Sequence, residues 1–232
     1  MERLSTIGCN IRTICFDYYG TLVQTRQGEP FMLIERWIKE SGSINKIGMS
    51  FAKERVRLLY HVPVFYTGKQ LLEKCYAEVC RKYQIEPKMQ LFLEYVKSVF
   101  SDTVLFEGTK EVLENLRKRY AIGLVTNADN DILYQSIQKH GLQFDFVITS
   151  EAVRCNKPGK AIFQKAIACA KVSASELLMV GDSLTEDMLP AREMGMNCVW
   201  MNREHRVQGV SENLRQIFDI KELLENESGS DN

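Results

Sequence analysis

The residue best placed for chemistry is Asp17, a carboxylate that directly follows a short apolar run near the amino end of the chain. The run Ile14-Cys15-Phe16 is typical of a buried strand, which holds the side chain at its end rigidly. Gly20 tolerates the positive φ of a sharp reversal, and Thr21 can hydrogen-bond the turn. A carboxylate at such a position is a candidate nucleophile.

Further polar residues carry the atoms that bind phosphate and a divalent cation. Thr126, Asn127 and Asp182 follow later apolar runs, and Lys157 precedes Pro158 at the start of a predicted helix. Because ligands of open parallel sheets bind beyond the carboxyl ends of the strands, we expect these side chains to meet there. Lysine and backbone amides bind an anion, and clustered oxygen atoms bind Mg²⁺. The residue types therefore predict a phosphorylated ligand held together with Mg²⁺.

The elements that must position these residues follow two patterns. After the first strand, helical periodicity predicts four successive helices, at Phe31 to Lys39, Phe51 to Tyr60, Gln70 to Tyr83 and Met89 to Phe100. From Gly108 onward, predicted helices alternate with predicted strands. The helices are Thr109 to Arg119, Asn130 to Lys139, Gly159 to Ala170 and Glu186 to Met194; the strands are Ala121 to Thr126, Phe144 to Thr149, Leu177 to Gly181 and Asn197 to Met201. Such alternation predicts an α/β fold with a doubly wound parallel sheet.

The helical stretch interrupts this α/β pattern and is therefore predicted to be an inserted helical cap domain. We assign residues 1–24 and 104–224 to the α/β core domain, 25–103 to the cap and 225–232 to a disordered tail. Closure of the cap over the core would exclude water and select the substrate.

The composition limits the classes of binding partner and the cellular compartments that we expect for this chain. The net charge is zero and the pI is about 6.8, so the chain has no basic field of the kind that holds nucleic acid or anionic lipid. No apolar run approaches the roughly eighteen residues of a membrane span. Seven scattered cysteines without metal-site spacing fit free thiols in a reducing cytoplasm. We expect a cytoplasmic protein, monomeric or homodimeric, with a small-molecule partner and no nucleic acid or membrane.

The order of these groups resembles that of the haloacid dehalogenase-like (HAD) hydrolase superfamily. Four motifs match over nearly the whole chain, with a cap inserted after the first, and the resemblance implies a Rossmann-like core. It also implies that Asp17 becomes an aspartyl phosphate, while Thr126 and Lys157 bind the phosphoryl group. The implied substrate contacts are Tyr18, Thr126, Asn127 and Lys157. The implied Mg²⁺ ligands are Asp17, the backbone carbonyl of Tyr19, Asp182 and Asp187, the last directly or through water.

Tyr19 departs from the usual phosphatase form of the family, which has a second Asp at this position. In the family that Asp protonates the leaving group and later activates water, a role worth about 10²- to 10⁴-fold in rate. Tyrosine, with a reference pKa of about 10, is a poor base at neutral pH. We therefore expect substrates with an acidic leaving group, such as acyl phosphates, to react better than alkyl phosphates.

Two alternatives to a phosphatase stay open. Asp-x-Tyr-Gly-Thr-Leu is also how the metal-free 2-haloacid dehalogenases of the superfamily begin, and there the Asp displaces halide from carbon. Those enzymes usually carry Ser at the position of Asp182 and Tyr at that of Phe163, so we favour a Mg-dependent phosphohydrolase acting on a small phosphorylated metabolite. The second alternative is a non-catalytic phosphate- or partner-binding protein, because fold alone does not guarantee turnover.

Overall fold

The computed structural model describes residues 7–26, 44–206 and 214–224, and the chain divides into two compact units. The first unit comprises Met1–Gln24, Leu105–Asn127 and His140–Asn232; the second comprises Thr25–Val104 and Ala128–Lys139. The predicted domain ranges stay a prediction, and they did not include the segment Ala128–Lys139 in the helical part. The predicted helix Phe31 to Lys39 and the predicted tail 225–232 lie outside the described residues.

The first unit contains a parallel sheet. Its six described strands are β1 Thr13–Phe16, β4 Ala121–Thr126, β5 Phe146–Thr149, β6 Leu177–Gly181, β7 Asn197–Met201 and β8 Arg215–Ile217. They lie in the order β5-β4-β1-β6-β7-β8, and all five neighbouring pairs are parallel. Two further strands, β2 Val23–Thr25 and β3 Thr103–Leu105, form a separate two-stranded sheet. The predicted α/β fold with a doubly wound parallel sheet is confirmed.

Helices connect these strands. In chain order the described α-helices are α1 Ile44–Tyr60, α2 Gly68–Tyr83, α3 Met89–Ser101, α4 Thr109–Leu116, α5 Asn130–His140, α6 Ser150–Val153, α7 Lys160–Ala170 and α8 Leu189–Glu193. None of them is long and apolar enough to cross a membrane. Most predicted helix ends lie within a few residues of the observed ends, since capping and fraying decide the last turn.

The central position of β1 places Asp17 among the other strand ends. Phe16, the last residue of β1, is in register with Leu124 of β4 and Val180 of β6. Asp17 continues the alignment, because its backbone N–H donates to the carbonyl of Val180 at 2.9 Å. The burial of β1 on both faces is complete, with all four residues buried, as a strand in the middle of a parallel sheet requires.

The predicted helix Glu186 to Met194 is wrong in its first half. A π-helical turn spans Leu184–Met188, and α8 follows it. The Ser183 carbonyl accepts the N–H groups of both Asp187 and Met188, at 3.0 and 3.1 Å, so the turn is one residue wider than an α-helical turn. Pro190 has no N–H to continue an α-helical ladder into this turn.

The second unit has its own apolar core. Phe51 of α1, Tyr76 of α2 and Phe92 of α3 are all buried, and the rings of Tyr76 and Phe92 stack with their centroids 4.3 Å apart. A capping box between Thr67 and Gln70 begins α2.

Candidate active site

Lys157 is the centre of the candidate site. Its ammonium donates to Asp17 Oδ1 at 2.7 Å, to Asp187 Oδ1 at 2.5 Å and to the Val125 carbonyl at 3.1 Å. The Lys157 side chain is only 2% exposed. The three N–H groups of an ammonium are thus matched by three protein oxygens. Burial alone would lower the pKa of Lys157, but the charges of Asp17 and Asp187 outweigh it and raise that pKa, so the ammonium stays charged.

Three carboxylates lie close together around this lysine. One oxygen each of Asp17, Asp182 and Asp187 lies within 4.8 Å of the others. Burial, together with the Asp17 charge, raises the pKa of Asp182 to about 6. Burial also raises the pKa of Asp187 to about 8, although Lys157 acts in the opposite direction. The cluster therefore concentrates negative charge that one ammonium balances only in part.

Asp187 and Asp182 differ in their surroundings. Asp187 is 1% exposed, and both of its oxygens accept hydrogen bonds, Oδ1 from Lys157 and Oδ2 from the Ser183 N–H at 3.1 Å. Asp182 is less buried, and its carboxylate lies against the backbone of Gly20. This difference favours Asp182 over Asp187 as a direct ligand and fits Asp187 in the water-mediated role.

The side-chain amide of Asn127 holds the backbone of Lys157 from both sides. Asn127 Oδ1 accepts the Lys157 N–H at 2.7 Å, and Asn127 Nδ2 donates to the Lys157 carbonyl at 3.1 Å. The same Nδ2 donates to Glu186 Oε2 at 3.1 Å. The segment has a cis bond between Lys157 and Pro158. Asn127 thus orients Lys157, and its predicted contact with substrate stays a prediction.

The turn that follows Asp17 is closed by its own backbone. Leu22 and Val23 donate their N–H groups to the Tyr18 carbonyl, at 2.8 and 3.1 Å. Gly20 has φ +83°, and a Cβ added there would lie 2.5 Å from an Asp182 oxygen, so only glycine fits. The Thr21 hydroxyl is buried and has no hydrogen-bond partner within the described part of the chain.

The remaining predicted residues lie near this turn and the end of β4. Tyr18 is fully buried, and the half-buried ring of Tyr19 meets the Tyr18 ring edge-on, with centroids 5.1 Å apart. Thr126 is buried at the last position of β4, in register with Thr149 of β5. The structure therefore brings Asp17, Lys157 and the carboxylates together, while the roles assigned to Tyr18, Tyr19 and Thr126 stay predictions.

Sequence reasoning missed residues that support the site through backbone atoms. Arg203, two residues after β7, donates to the carbonyls of Gly20 and Thr21. Trp200 Nε1 donates to the Asp182 carbonyl at 2.9 Å. Since β7 ends at Met201, the carboxyl-end rule applied to the loop after this strand would have pointed to Arg203.

The donor set fits a hard divalent cation. Asp17, Asp182 and Asp187 offer only oxygen atoms, which are the ligands that Mg²⁺ prefers. Gly20 leaves the space beside the Asp182 carboxylate that a Cβ would fill. The raised pKa values of Asp182 and Asp187 also mark a site where added positive charge is favourable.

Comparisons with known proteins identify the family of this chain. Residues 14–201 match the model of the haloacid dehalogenase-like hydrolase family. A glyceraldehyde 3-phosphate phosphatase of Pyrococcus abyssi is 32% identical over 133 residues, which cover 53% of this chain and 56% of that protein. Pyrimidine 5'-nucleotidase YjjG of Escherichia coli is 27% identical over 165 residues, covering 68% of this chain and 73% of that protein.

Solved structures share the fold. The structure of the putative HAD-hydrolase YfnB from Bacillus subtilis bound to magnesium has a TM-score of 0.71 at 21% identity, covering 92% of this chain and 96% of that one. A crystal structure of a dehalogenase has a TM-score of 0.73 at 19% identity, covering 94% and 97%. Since the family match spans most of the chain and both structures carry the same fold, the chain is a hydrolase of the haloacid dehalogenase-like family.

Proposed function

We propose that the protein is a Mg-dependent phosphohydrolase that acts on a small phosphorylated metabolite through an aspartyl-phosphate intermediate. The observation that carries this proposal is the Asp17 carboxylate, held by Lys157 at a strand end within 4.8 Å of two further carboxylates. Relatives named as phosphatases and a magnesium-bound relative of the same fold support it.

In the first step Asp17 attacks the phosphorus atom of the substrate. Lys157 holds Oδ1 at 2.7 Å, so Oδ2 is the oxygen that remains for attack. A bond forms between Oδ2 and phosphorus as the bond from phosphorus to the leaving oxygen breaks, and the electron pair of that bond stays on the leaving oxygen. An alkoxide must then take a proton from water, whereas a carboxylate leaves as the anion. Lys157 stays charged throughout and fixes the carboxylate in one orientation, which is the positioning that phosphoryl transfer needs.

The residues that would hold Mg²⁺ are Asp17 and Asp182, with the Tyr19 carbonyl as a further ligand and Asp187 acting through water. A bound divalent cation would neutralise charge between the nucleophile and the phosphoryl oxygens. The contacts of Asp187 with Lys157 and Ser183 N–H keep the ammonium aligned with Asp17.

In the second step water attacks the phosphorus of the aspartyl phosphate, which releases inorganic phosphate and restores Asp17. In the usual phosphatase form, the side chain at position 19 first gives a proton to the leaving group and later removes one from this water. Tyr19 lacks the carboxyl group that performs both transfers. The carboxylate of an acyl phosphate and the phenolate of an aryl phosphate are weak bases that leave without a proton donor. The favoured substrates are therefore those with an acidic leaving group.

Tyr19 is also the observation that favours a second candidate, the 2-haloacid dehalogenase. In that reaction Asp17 displaces halide from carbon, and water hydrolyses the resulting ester. Two features weigh against it. Asp182 is part of the carboxylate cluster, although halide displacement needs no metal ligand. Phe163, at the position where those enzymes usually carry Tyr, is fully buried in the core of the first unit. The phosphohydrolase is therefore the better match.

One set of assays separates these functions. The purified chain is incubated with acetyl phosphate, p-nitrophenyl phosphate, pyrophosphate and glycerol 3-phosphate, each with Mg²⁺ or with EDTA, and in parallel with L-2-chloropropionate. Phosphate release that EDTA stops and that Asp17→Asn abolishes supports the proposal. Halide release without metal supports the dehalogenase. Phosphate binding without any turnover points to the non-catalytic alternative and overturns both enzyme assignments.

A further inference from the structure

Arg203 forms two side-chain hydrogen bonds with the turn that follows the candidate nucleophile Asp17. Its Nη1 donates to the Gly20 carbonyl at 2.9 Å, and its Nη2 donates to the Thr21 carbonyl at 3.0 Å. The guanidinium carbon lies 3.7 Å from the centroid of the Phe106 ring. The planar group is thus held at its edge by two carbonyls and on its face by an aromatic ring, so its position is strongly defined.

The same turn sets the distance between the nucleophile segment and Asp182. Gly20 has a positive φ, and its Cα lies so close to the Asp182 carboxylate that an added Cβ would collide with it. Phe106 contributes twice, because it packs under Arg203 and its N–H donates to the Leu22 carbonyl at 3.1 Å. A shift of the turn would therefore change the spacing between the Asp17 segment and the Asp182 carboxylate.

We propose that Arg203 is a positioning residue of the cation site: it fixes the turn of residues 18–23 against Asp182 and thereby sets the spacing of the oxygen ligands. The inference deepens the proposed function and rests on it for the catalytic consequence. The effect on cation binding is independent of turnover. The hydrogen bonds of Arg203 go to the backbone of the turn, and its charge also interacts with that of Asp182, an interaction that Arg203→Lys retains.

A purely structural role for Arg203 makes a different prediction. Loss of two hydrogen bonds and a ring contact would lower stability but leave the cation site unchanged wherever the protein still folds. A positioning role changes the affinity for Mg²⁺ in the folded protein. Lysine keeps the charge but cannot serve two carbonyls with one planar group, so Arg203→Lys separates charge from geometry.

The test compares the wild-type chain with Arg203→Ala, Arg203→Lys and the control Arg12→Ala. Arg12 directly precedes β1, its side chain is 68% exposed, and its pair with Glu176 spans 3.6 Å. Mg²⁺ affinity is measured by isothermal titration calorimetry with MgCl₂. Hydrogen exchange is followed at the Leu22 and Val23 amides, which close the turn. Phosphate release from p-nitrophenyl phosphate is recorded in parallel.

We expect Arg203→Ala to weaken Mg²⁺ binding by about 10- to 100-fold, the range typical of residues that orient metal ligands. Exchange at Leu22 and Val23 should speed up, low millimolar guanidinium should restore part of the affinity, and Arg203→Lys should fall between Ala and wild type. Arg12→Ala should bind Mg²⁺ as wild type does.

Wild-type affinity and amide protection in folded Arg203→Ala would overturn the inference. If the Ala variant does not fold, Arg203→Lys decides alone: wild-type affinity refutes the positioning role and weakened affinity supports it. Wild-type protein that binds no Mg²⁺ overturns it as well. Wild-type protein that binds Mg²⁺ but hydrolyses none of the phosphates refutes the proposed function only.

Discussion

Replacement of Lys157 by Met tests whether this ammonium balances the buried carboxylates. The side chains of Lys157, Asp17 and Asp187 are 2%, 10% and 1% exposed, so water offers little compensation when the ammonium is removed. Breaking a buried ion pair by removal of one partner costs about 3–5 kcal/mol. In a chain of this size each kcal/mol lowers Tm by about 2–4 °C, so the loss corresponds to about 6–20 °C.

The measurement is urea unfolding at neutral pH with EDTA, repeated with MgCl₂. The control is Lys160→Met, because Lys160 is 65% exposed and its pair with Glu193 spans 3.8 Å. Exposed pairs of this kind contribute about 0–1 kcal/mol. Mg²⁺ should reduce the loss in Lys157→Met, since it supplies positive charge to the same carboxylates.

Asp187→Asn provides a second arm of this experiment. Burial raises the pKa of Asp187, so its charge is unfavourable in the folded state and its removal should cost less than the removal of Lys157. In the Lys157→Met background Asp187→Asn should cause no further loss of stability, because without Lys157 the pKa of Asp187 rises further and its carboxyl carries little charge at neutral pH. If Lys157→Met costs no more than Lys160→Met, or if Asp187→Asn worsens it, the charge balance described for the site is wrong.

Three further changes test other parts of the site. Asp182→Asn should abolish the increase in Tm that Mg²⁺ gives the wild-type chain, whereas an unchanged increase would remove Asp182 from the ligand set. Gly20→Ala should cost about 1–3 kcal/mol and weaken Mg²⁺ binding, because the residue has φ +83° and a Cβ would meet the Asp182 carboxylate; Gly8→Ala, with only Ile11 at 3.9 Å, is the neutral control. Tyr19→Asp should raise turnover of glycerol 3-phosphate more than that of acetyl phosphate, and equal effects on both would contradict a limit set by proton transfer.

The parts of the fold that were predictable are those with a strong local pattern. The observed bounds of β4, β6 and β7 coincide with the predicted ones, because these strands are continuous apolar runs with flanking turn signals. The strands β2, β3 and β8 have three residues each, too few to show an alternation. The π-helical turn at Leu184–Met188 depends on backbone hydrogen bonds that span five residues, from Met188 to Ser183 and from Leu189 to Leu184, which no apolar periodicity predicts.

For the site, the sequence was sufficient to select the charged groups but not their contacts. Asp17 was selected at a strand end, Lys157 at the start of a predicted helix and Asp187 through the family resemblance. The structure joins all three by direct hydrogen bonds. The three N–H donors of Lys157 all bind protein oxygens, and one of these is the Val125 carbonyl, whose position depends on the backbone. Arg203 was missed because its partners are backbone carbonyls, which no residue type marks; only its position after the carboxyl end of β7 indicated it.

Under the proposed function, residue 19 contributes to cation binding through its backbone and to proton transfer through its side chain. An Asp would perform both roles, whereas Tyr19 performs only the first. The part that binds the cation uses the Tyr19 carbonyl, which belongs to the backbone and is the same for any side chain there. The part that moves protons uses the side chain, which is a phenol rather than a carboxylic acid. A change at this position alone therefore leaves cation binding and nucleophilic attack in place while the dependence on the leaving group becomes steeper. The chain would then still bind the cation through Asp182, a ligand that halide displacement does not need. It would also hydrolyse alkyl phosphates more slowly than phosphates with an acidic leaving group.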